Sequence, residues 1–591
     1  MMGVEQAISQ GYAAFQRKDF AVARQALSGV NHPQAIHLLG LVEKGAGNYP
    51  RASELLAHAA ALDPTNPEIP NNQGLLARLT GELQVAETAF RKALQLKPDF
   101  QSACLSLGRT LSGLDRHEEA MATLETLIGG PTENVAARVT YANAALEMKL
   151  FDVAKAHIDA SLRVSPQHAG ARHAQGVWAL STGEREKAEG IFTALLAENP
   201  ELAEANYMMA RVALEKGDMA RAQGFAEKAF AAKPAEAYFL LLADTYWMGA
   251  DIDKFERLIE GALNMPALAL IAVGLLQTAQ RTEDALEALE SLPEGWKILP
   301  GAQTQRSALL MDMGDVEGAL IAGRAARQNA GHGVYDHNFA AALLASGAGE
   351  EALAFIKEAR EANPLSQLWL AYEASALRLL GDASYDQLID YERHVRVYEL
   401  PVPDGFDTLA DFNAAFLTLL DEINPFEQYP LKRSLRGGIQ TPQDLCTNPD
   451  PLLQSYFKAL DTPIRDYMAQ LGTQADHPSA MRNSGDYRFH IGWSVRLGSG
   501  GHHVNHIHPK GWISSAYYVS VPDEVASGED KAGWIKFGEP PFRTEPVLPA
   551  EHWIQPKAGM LVLFPSFLWH GTEPIHDGSV RVTAPFDVVP A

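Results

Sequence analysis

The chain has 591 residues, 47% of them hydrophobic, and its 49 Lys and Arg against 73 Asp and Glu give a formal net charge of −24. That length holds three or four average domains, or a repeat array with one catalytic domain. So acidic a chain is not expected to bind nucleic acid or anionic membrane in general, since both favour positive surfaces. The two cysteines, Cys104 and Cys446, lack metal-ligand spacing, which argues against a disulfide framework and fits a reducing cytoplasm. No apolar run approaches ~18 residues, so no membrane span is predicted. The opening MMGVEQAISQ lacks the basic stretch and apolar run of a secretory leader.

The first two thirds repeat. A small residue recurs every 34 positions at Gly40, Gly74, Gly108, Ala142, Gly176 and Ala210. Twelve residues after each stands an alanine: Ala52, Ala86, Ala120, Ala154, Ala188 and Ala222. Prolines close the units at Pro64, Pro98, Pro166, Pro200 and Pro234, with Pro131 one place early. This is the tetratricopeptide period: small residues let two helices approach closely, and the proline ends the second helix before the next unit. An imperfect unit precedes it (11–33), and looser helical pairs follow at 242–266, 274–292, 308–326, 340–364 and 374–391. The expected fold of residues 4–397 is a right-handed superhelix of ten to twelve hairpins with a concave groove. Asn71, Arg109, Asn143, His173 and Arg211 are predicted to face that groove; they form no uniform ladder or clamp that would identify a ligand.

Tyr398-Glu-Leu-Pro-Val-Pro-Asp-Gly-Phe406 breaks the helical pattern and is read as a linker, 398–406. Helices are predicted at 411–423 and 451–471, with 434–441 as a loop in which Arg436 and Gln440 are candidate wall residues. From 487 onward short apolar runs with Gly and Pro turns predict strands, a grammar that fits a double-sheet jelly roll over about 487–591. This makes the third segment, 407–591, a β-rich domain with flanking helices.

Histidine concentrates there, with 9 of the 19 lying between 477 and 591. Alternation in Val504-Asn-His-Ile-His508 predicts a strand that sends His506 and His508 to one face, with His502 sharing it. His570 follows the apolar run 560–564 and supplies a third candidate ligand. Two ligands from one strand and one from a distant strand leave coordination positions open, the layout of a mononuclear non-haem iron centre. Arg581 lies eleven residues on, and with Thr583 on the same strand face it can hold a carboxylate by a charge-assisted bond and a hydroxyl. His503, His490, His552 and His576 are read as structural or exposed. Trp512, Trp569 and Phe564 are candidate dry walls, with core packing the expected role of Phe564.

These residues make the chain resemble the 2-oxoglutarate/Fe(II) dioxygenases, and most nearly the bacterial group in which the oxygenase stands behind tetratricopeptide repeats. The resemblance implies Fe(II) at His506, His508 and His570, and 2-oxoglutarate anchored by Arg581, Thr583 and Tyr518, the last favoured over Tyr517. His508 stands where that superfamily usually has a carboxylate. Either it is a third ligand, or water fills that position and His508 stands behind it. The implied reaction couples decarboxylation of 2-oxoglutarate by dioxygen to hydroxylation of a substrate C–H, with a peptide or protein substrate recruited by the repeat groove. Two alternatives remain at this point: an interaction scaffold with an inactive jelly roll, and a cosubstrate-free three-histidine cupin-type dioxygenase.

Overall fold

The computed structural model describes residues 3–128, 134–330, 335–424, 431, 434–474, 477–575, 578 and 580–591. Pro131 and His576 lie outside these. The chain divides into two compact units, Met1–Glu198 and Asn199–Ala591.

The first unit is all helix, from Val4–Gln16 paired with Phe20–Leu27 through to Ala169–Ser181 paired with Arg185–Glu198. The repeat's small residue has a physical partner sixteen positions later. A Cβ built on Gly74 would stand 2.7 Å from Phe90, one on Gly108 2.7 Å from Leu124, and one on Gly176 2.6 Å from Phe192. No side chain fits at those crossings, so glycine sets the interhelical distance and the large partner fills it. The alanines twelve residues on, Ala52, Ala86, Ala120, Ala154 and Ala188, are all fully buried. Of the predicted groove residues here, Arg109 and Asn143 are exposed and His173 is partly so, whereas Asn71 is buried.

The second unit continues the helical pairs from Ala203–Glu215 and Met219–Ala232 to His337–Ala345 and Gly349–Ala362, and closes them with Gln367–Leu380. Among the described residues, the two units hold eleven such pairs.

Among the described residues eleven strands follow: β1 (Arg396–Glu399), β2 (Leu435–Gln440), β3 (Tyr487–Gly492), β4 (Val495–His503), β5 (Ile513–Ser520), β6 (Ile535–Phe537), β7 (His552–Ile554), β8 (Met560–Pro565), β9 (His570–Thr572), β10 (Arg581–Thr583) and β11 (Phe586–Pro590). One sheet runs β1-β8-β5-β10-β4-β2, with β11 pairing both β3 and β5; a second runs β7-β6-β9. Tyr398 and Glu399, read from sequence as linker, pair with Leu561 and Met560 and so belong to the sheet. The segment expected to be a loop at 434–441 is strand β2, paired with β4. Its glycines serve a close approach: Gly437 has φ +63°, and a Cβ there would meet the Gly501 Cα at 3.2 Å. The expected helix 451–471 is two, Pro451–Ala459 and Asp461–Leu471.

Strand alternation sorts the core onto two sides. Tyr517, Val519, Leu561 and Leu563 join Phe416, Tyr456 and Tyr467 from the flanking helices. Tyr518, Val562 and Phe564, one residue out of phase, join Leu370, Tyr372 and Leu377 of the last repeat helix. Trp569 seals that second side, its indole N–H donating to the Ala371 carbonyl at 3.1 Å and the Ser375 hydroxyl at 3.0 Å. Repeat helix and sheet therefore share one core. Among the described residues, no helix is long and apolar enough to cross a membrane.

Candidate metal centre and anion pocket

β4 ends at His503, and the chain turns at Val504 and Asn505 rather than continuing as a strand. His506 then makes an isolated antiparallel bridge with His570, the first residue of β9, with N···O distances of 2.8 and 3.0 Å. Two residues on, the His508 amide bonds the Ser566 carbonyl at 3.0 Å, in the turn that leaves β8. The regular strand expected over 504–508 is thus replaced by two separate backbone anchors, yet the imidazoles converge. One ring nitrogen from each of His506, His508 and His570 lies within 4.8 Å of the others.

The partners of the Nδ1 atoms fix the tautomers. His506 Nδ1 faces the Val504 carbonyl at 2.8 Å, and His570 Nδ1 faces the Leu568 carbonyl at 2.9 Å. His508 Nδ1 faces Asp587 Oδ1 at 2.6 Å. Carbonyls and carboxylates accept only, so each Nδ1 carries a proton, and a ring that is otherwise neutral presents its lone pair at Nε2. Two such lone pairs, on His506 and His508, stand 3.2 Å apart. With both rings neutral, facing acceptors at that distance repel unless a proton or a cation lies between them, and a divalent metal fits this donor set. Burial, reinforced by the neighbouring His508, pushes His506 down to about 3, and burial likewise holds His570 well below the usual histidine range. Both rings are held neutral, the form that binds metal.

The three histidines open onto a cavity of about 590 Å³ lined by both sheets, through Tyr518, Ile535, His570, Arg581 and Thr583 among others. Arg581 is only 2% exposed. One of its nitrogens donates to the Gly533 carbonyl, and its Nε has no partner. Among the described residues no carboxylate pairs with it; the Tyr518 ring lies 5.7 Å from the guanidinium carbon. A buried guanidinium with an orphaned N–H costs several kcal/mol unless an anion meets it, by the usual ~2–5 kcal/mol scale for unpaired buried charges. Thr583 shares the Arg581 face and is buried on the same cavity wall. Tyr517 points the other way and donates to Asn413 Oδ1 at 2.6 Å.

Several neighbours differ from the sequence reading. Because β4 stops at His503, strand parity does not carry through to 506. His503 and not His502 lines the cavity, and Ser434 Oγ lies 3.0 Å from His503 Nδ1 and 3.3 Å from His506 Nε2. Gln440 and His490 line it too, while Arg436 turns back to the Leu435 carbonyl at 2.8 Å. Phe564 packs in the core as expected and also lines the cavity, its ring 4.6 Å from that of His570. Trp569 faces the repeat helix, and Trp512 donates to the Ser479 carbonyl at 2.8 Å within the core. Ser434 and Asp587 carried no local motif. A lone acid inside the apolar run Phe586–Pro590 is the signal that could have found Asp587.

Comparison with known proteins finds family matches toward both ends of the chain. The family described as "Putative 2OG-Fe(II) oxygenase" matches residues 492–587. Tetratricopeptide repeat families match residues 37–99 and 173–237, and 101–129. No curated protein matches the chain. Among solved structures, a tetratricopeptide repeat protein from Parabacteroides merdae is 18% identical with a TM-score of 0.38, covering 41% of this chain and 98% of its own. A thermophilic repeat protein of Thermus thermophilus is 23% identical with a TM-score of 0.27, covering 28% and 92%. Human IFIT1, solved as a dimer with PPP-AAAA, is 17% identical with a TM-score of 0.34, covering 54% and 81%.

Proposed function

We propose that this chain, with tetratricopeptide repeats in its N-terminal region and a 2OG-Fe(II) oxygenase family match at 492–587, is an Fe(II)- and 2-oxoglutarate-dependent oxygenase that hydroxylates a peptide or protein. The observation that carries the reading is Arg581, a buried cation that no carboxylate among the described residues pairs with, in the cavity that three imidazoles face. His506, His508 and His570 would hold the iron. Arg581, Thr583 and Tyr518 would hold the far carboxylate of 2-oxoglutarate, the guanidinium by a forked charge-assisted bond and the hydroxyls by donation. When bound, iron with 2-oxoglutarate and dioxygen supplies C–H oxidation, with succinate and CO2 as co-products. Phe564 and Ile535 exclude water beside the histidines. The Nδ1 contacts of the three rings keep their lone pairs aimed inward.

A cavity lined by both sheets supports reading the β-rich region as a jelly roll, a double-stranded β-helix with flanking helices. In this division residues 4–397 recruit the substrate, 398–406 connect, and 407–591 carry the chemistry, with β1 bracing the sheet across the junction. Anaerobic Fe(II) titration with and without 2-oxoglutarate tests the function. A weak visible charge-transfer band that needs both additions, followed by succinate release in air, is the expected result. Iron uptake that is indifferent to 2-oxoglutarate would favour a cosubstrate-free three-histidine dioxygenase, and no iron uptake would leave a scaffold.

A further inference from the structure

Asp587 is 5% exposed, in an otherwise apolar strand. The register of β11 against β3 shifts between Asp587 and Val588, and such a bulge re-aims one side chain relative to its neighbours. Its Oδ1 receives two hydrogen bonds, from His508 Nδ1 at 2.6 Å and from the Ser514 hydroxyl at 2.8 Å. Ser514 Oγ in turn lies 2.9 Å from Ser566 Oγ. Ser566 is also the residue whose carbonyl takes the His508 amide. One small network thus fixes both the backbone and the ring of His508. His506 and His570 lean on main-chain carbonyls instead, so His508 alone of the three is backed by a carboxylate.

We propose that Asp587 is the positioning residue of the centre: it holds the His508 Nδ1 proton, turns the Nε2 lone pair to the metal, and supplies the negative charge that the three neutral ligands lack. The proposal rests on the metal-site reading above. Hydrogen bonding of this kind fixes ring orientation and raises ligand basicity, and its loss usually weakens metal binding by about 10- to 100-fold.

The test is Co(II) titration of the full-length chain, read by its visible d–d absorption, for wild type, Asp587→Asn, His508→Ala and the double variant, with circular dichroism of each metal-free protein as the folding control. Asp587→Asn is nearly isosteric and is expected to weaken Co(II) binding by at least tenfold. In the His508→Ala background the same change is expected to do almost nothing, because the residue acts through that ring. A merely structural carboxylate would lower affinity equally in both backgrounds, and that result overturns the proposal, as does an Asp587→Asn titration that overlays wild type. Should Asp587→Asn not fold, Ser514→Ala takes its place in the same comparison, since it frees the carboxylate without removing it. A loss of Co(II) affinity that disappears in the His508→Ala background upholds the proposal, and an equal loss in both backgrounds, or none, overturns it. A wild-type chain that takes up no Co(II) sinks the metal-site reading itself, an outcome distinct from all of these.

Discussion

The peptide groups of His506 and His570 bond each other in both directions, at 2.8 and 3.0 Å, although 64 residues separate them in the chain. The backbone, not side-chain packing, brings the two rings together at a centroid distance of 4.3 Å. Truncating either ring therefore removes a ligand without undoing the bridge.

His506→Ala and His570→Ala are expected to keep wild-type circular dichroism and to lose iron retention. Metal analysis after Fe(II) loading and desalting checks this, and full occupancy in either variant would remove the proposed centre.

At position 508 the neighbour decides the outcome. His508→Ala should weaken iron binding appreciably, by roughly 10-fold or more as for loss of an oriented ligand. An aspartate here would bring a second carboxylate against Asp587, which now receives His508 Nδ1 at 2.6 Å, and like charges at such range repel. His508→Asp alone is expected to bind iron poorly, and the combination with Asp587→Asn to recover it. Equal iron affinity in the single and combined variants would refute the charge argument.

Arg581→Ala should retain its metal while the apparent KM for 2-oxoglutarate rises. Losing the charged partner of a buried anion costs ~2–5 kcal/mol, or roughly 30- to several thousand-fold. Arg581→Lys should fall between, because an ammonium cannot reproduce the guanidinium fork. Succinate release measured against 2-oxoglutarate concentration for the three proteins decides it.

Acid should destabilise the metal-free protein well before its carboxylates titrate. His506 is pushed down to about 3, and His570 and His503 are also held below the usual histidine value, burial being the main cause in each. Below pH ~6.5 the unfolded chain takes up protons that the folded chain refuses, so stability is intact above that pH and falls as pH drops towards the folded values. Each such ring contributes at most about 1.4 kcal/mol per pH unit. Urea midpoints at pH 7 and pH 5 should differ accordingly, and the difference should shrink in a His506→Gln/His570→Gln variant.

A fragment beginning at Gly405 would lack β1 and the helix Gln367–Leu380. Such a cut bares the edge of β8 and strips Trp569 of both indole partners. Unpaired edges and opened cores aggregate. This fragment is expected to be insoluble, while one beginning at Asp336 should fold and keep its iron. Gel filtration and iron content of the two fragments give the comparison.

The helical part was readable because its signal is local. Gly74 and Phe90, or Gly176 and Phe192, meet within one hairpin and recur every 34 residues. The histidine cluster was readable as well, since His506, His508 and His570 carry their chemistry in their side chains. What sequence could not show is decided by distant partners. Whether 502 or 503 faces inward depends on where β4 stops pairing, and β4 pairs with residues 435–440. The glycine pair at 437–438 looks like a loop until the close crossing with Gly501 explains it. Asp587 meets His508 across 79 residues; the lone acid in an apolar strand marks Asp587 as unusual but does not name its partner.

β1 pairs with β8 in the register Arg396 to Leu563, a separation of 167 residues. Helical hairpins close loops of a few residues, whereas this pairing must wait for a loop of well over a hundred, and contacts of long separation slow folding. The repeats are thus expected to form early and rapidly, leaving the last helix and its trailing strand as a preformed template. The sheet then condenses on that template. In refolding kinetics far-ultraviolet helical signal should return in a fast phase, and Trp569 fluorescence, which reports the helix–sheet junction, in a slower one.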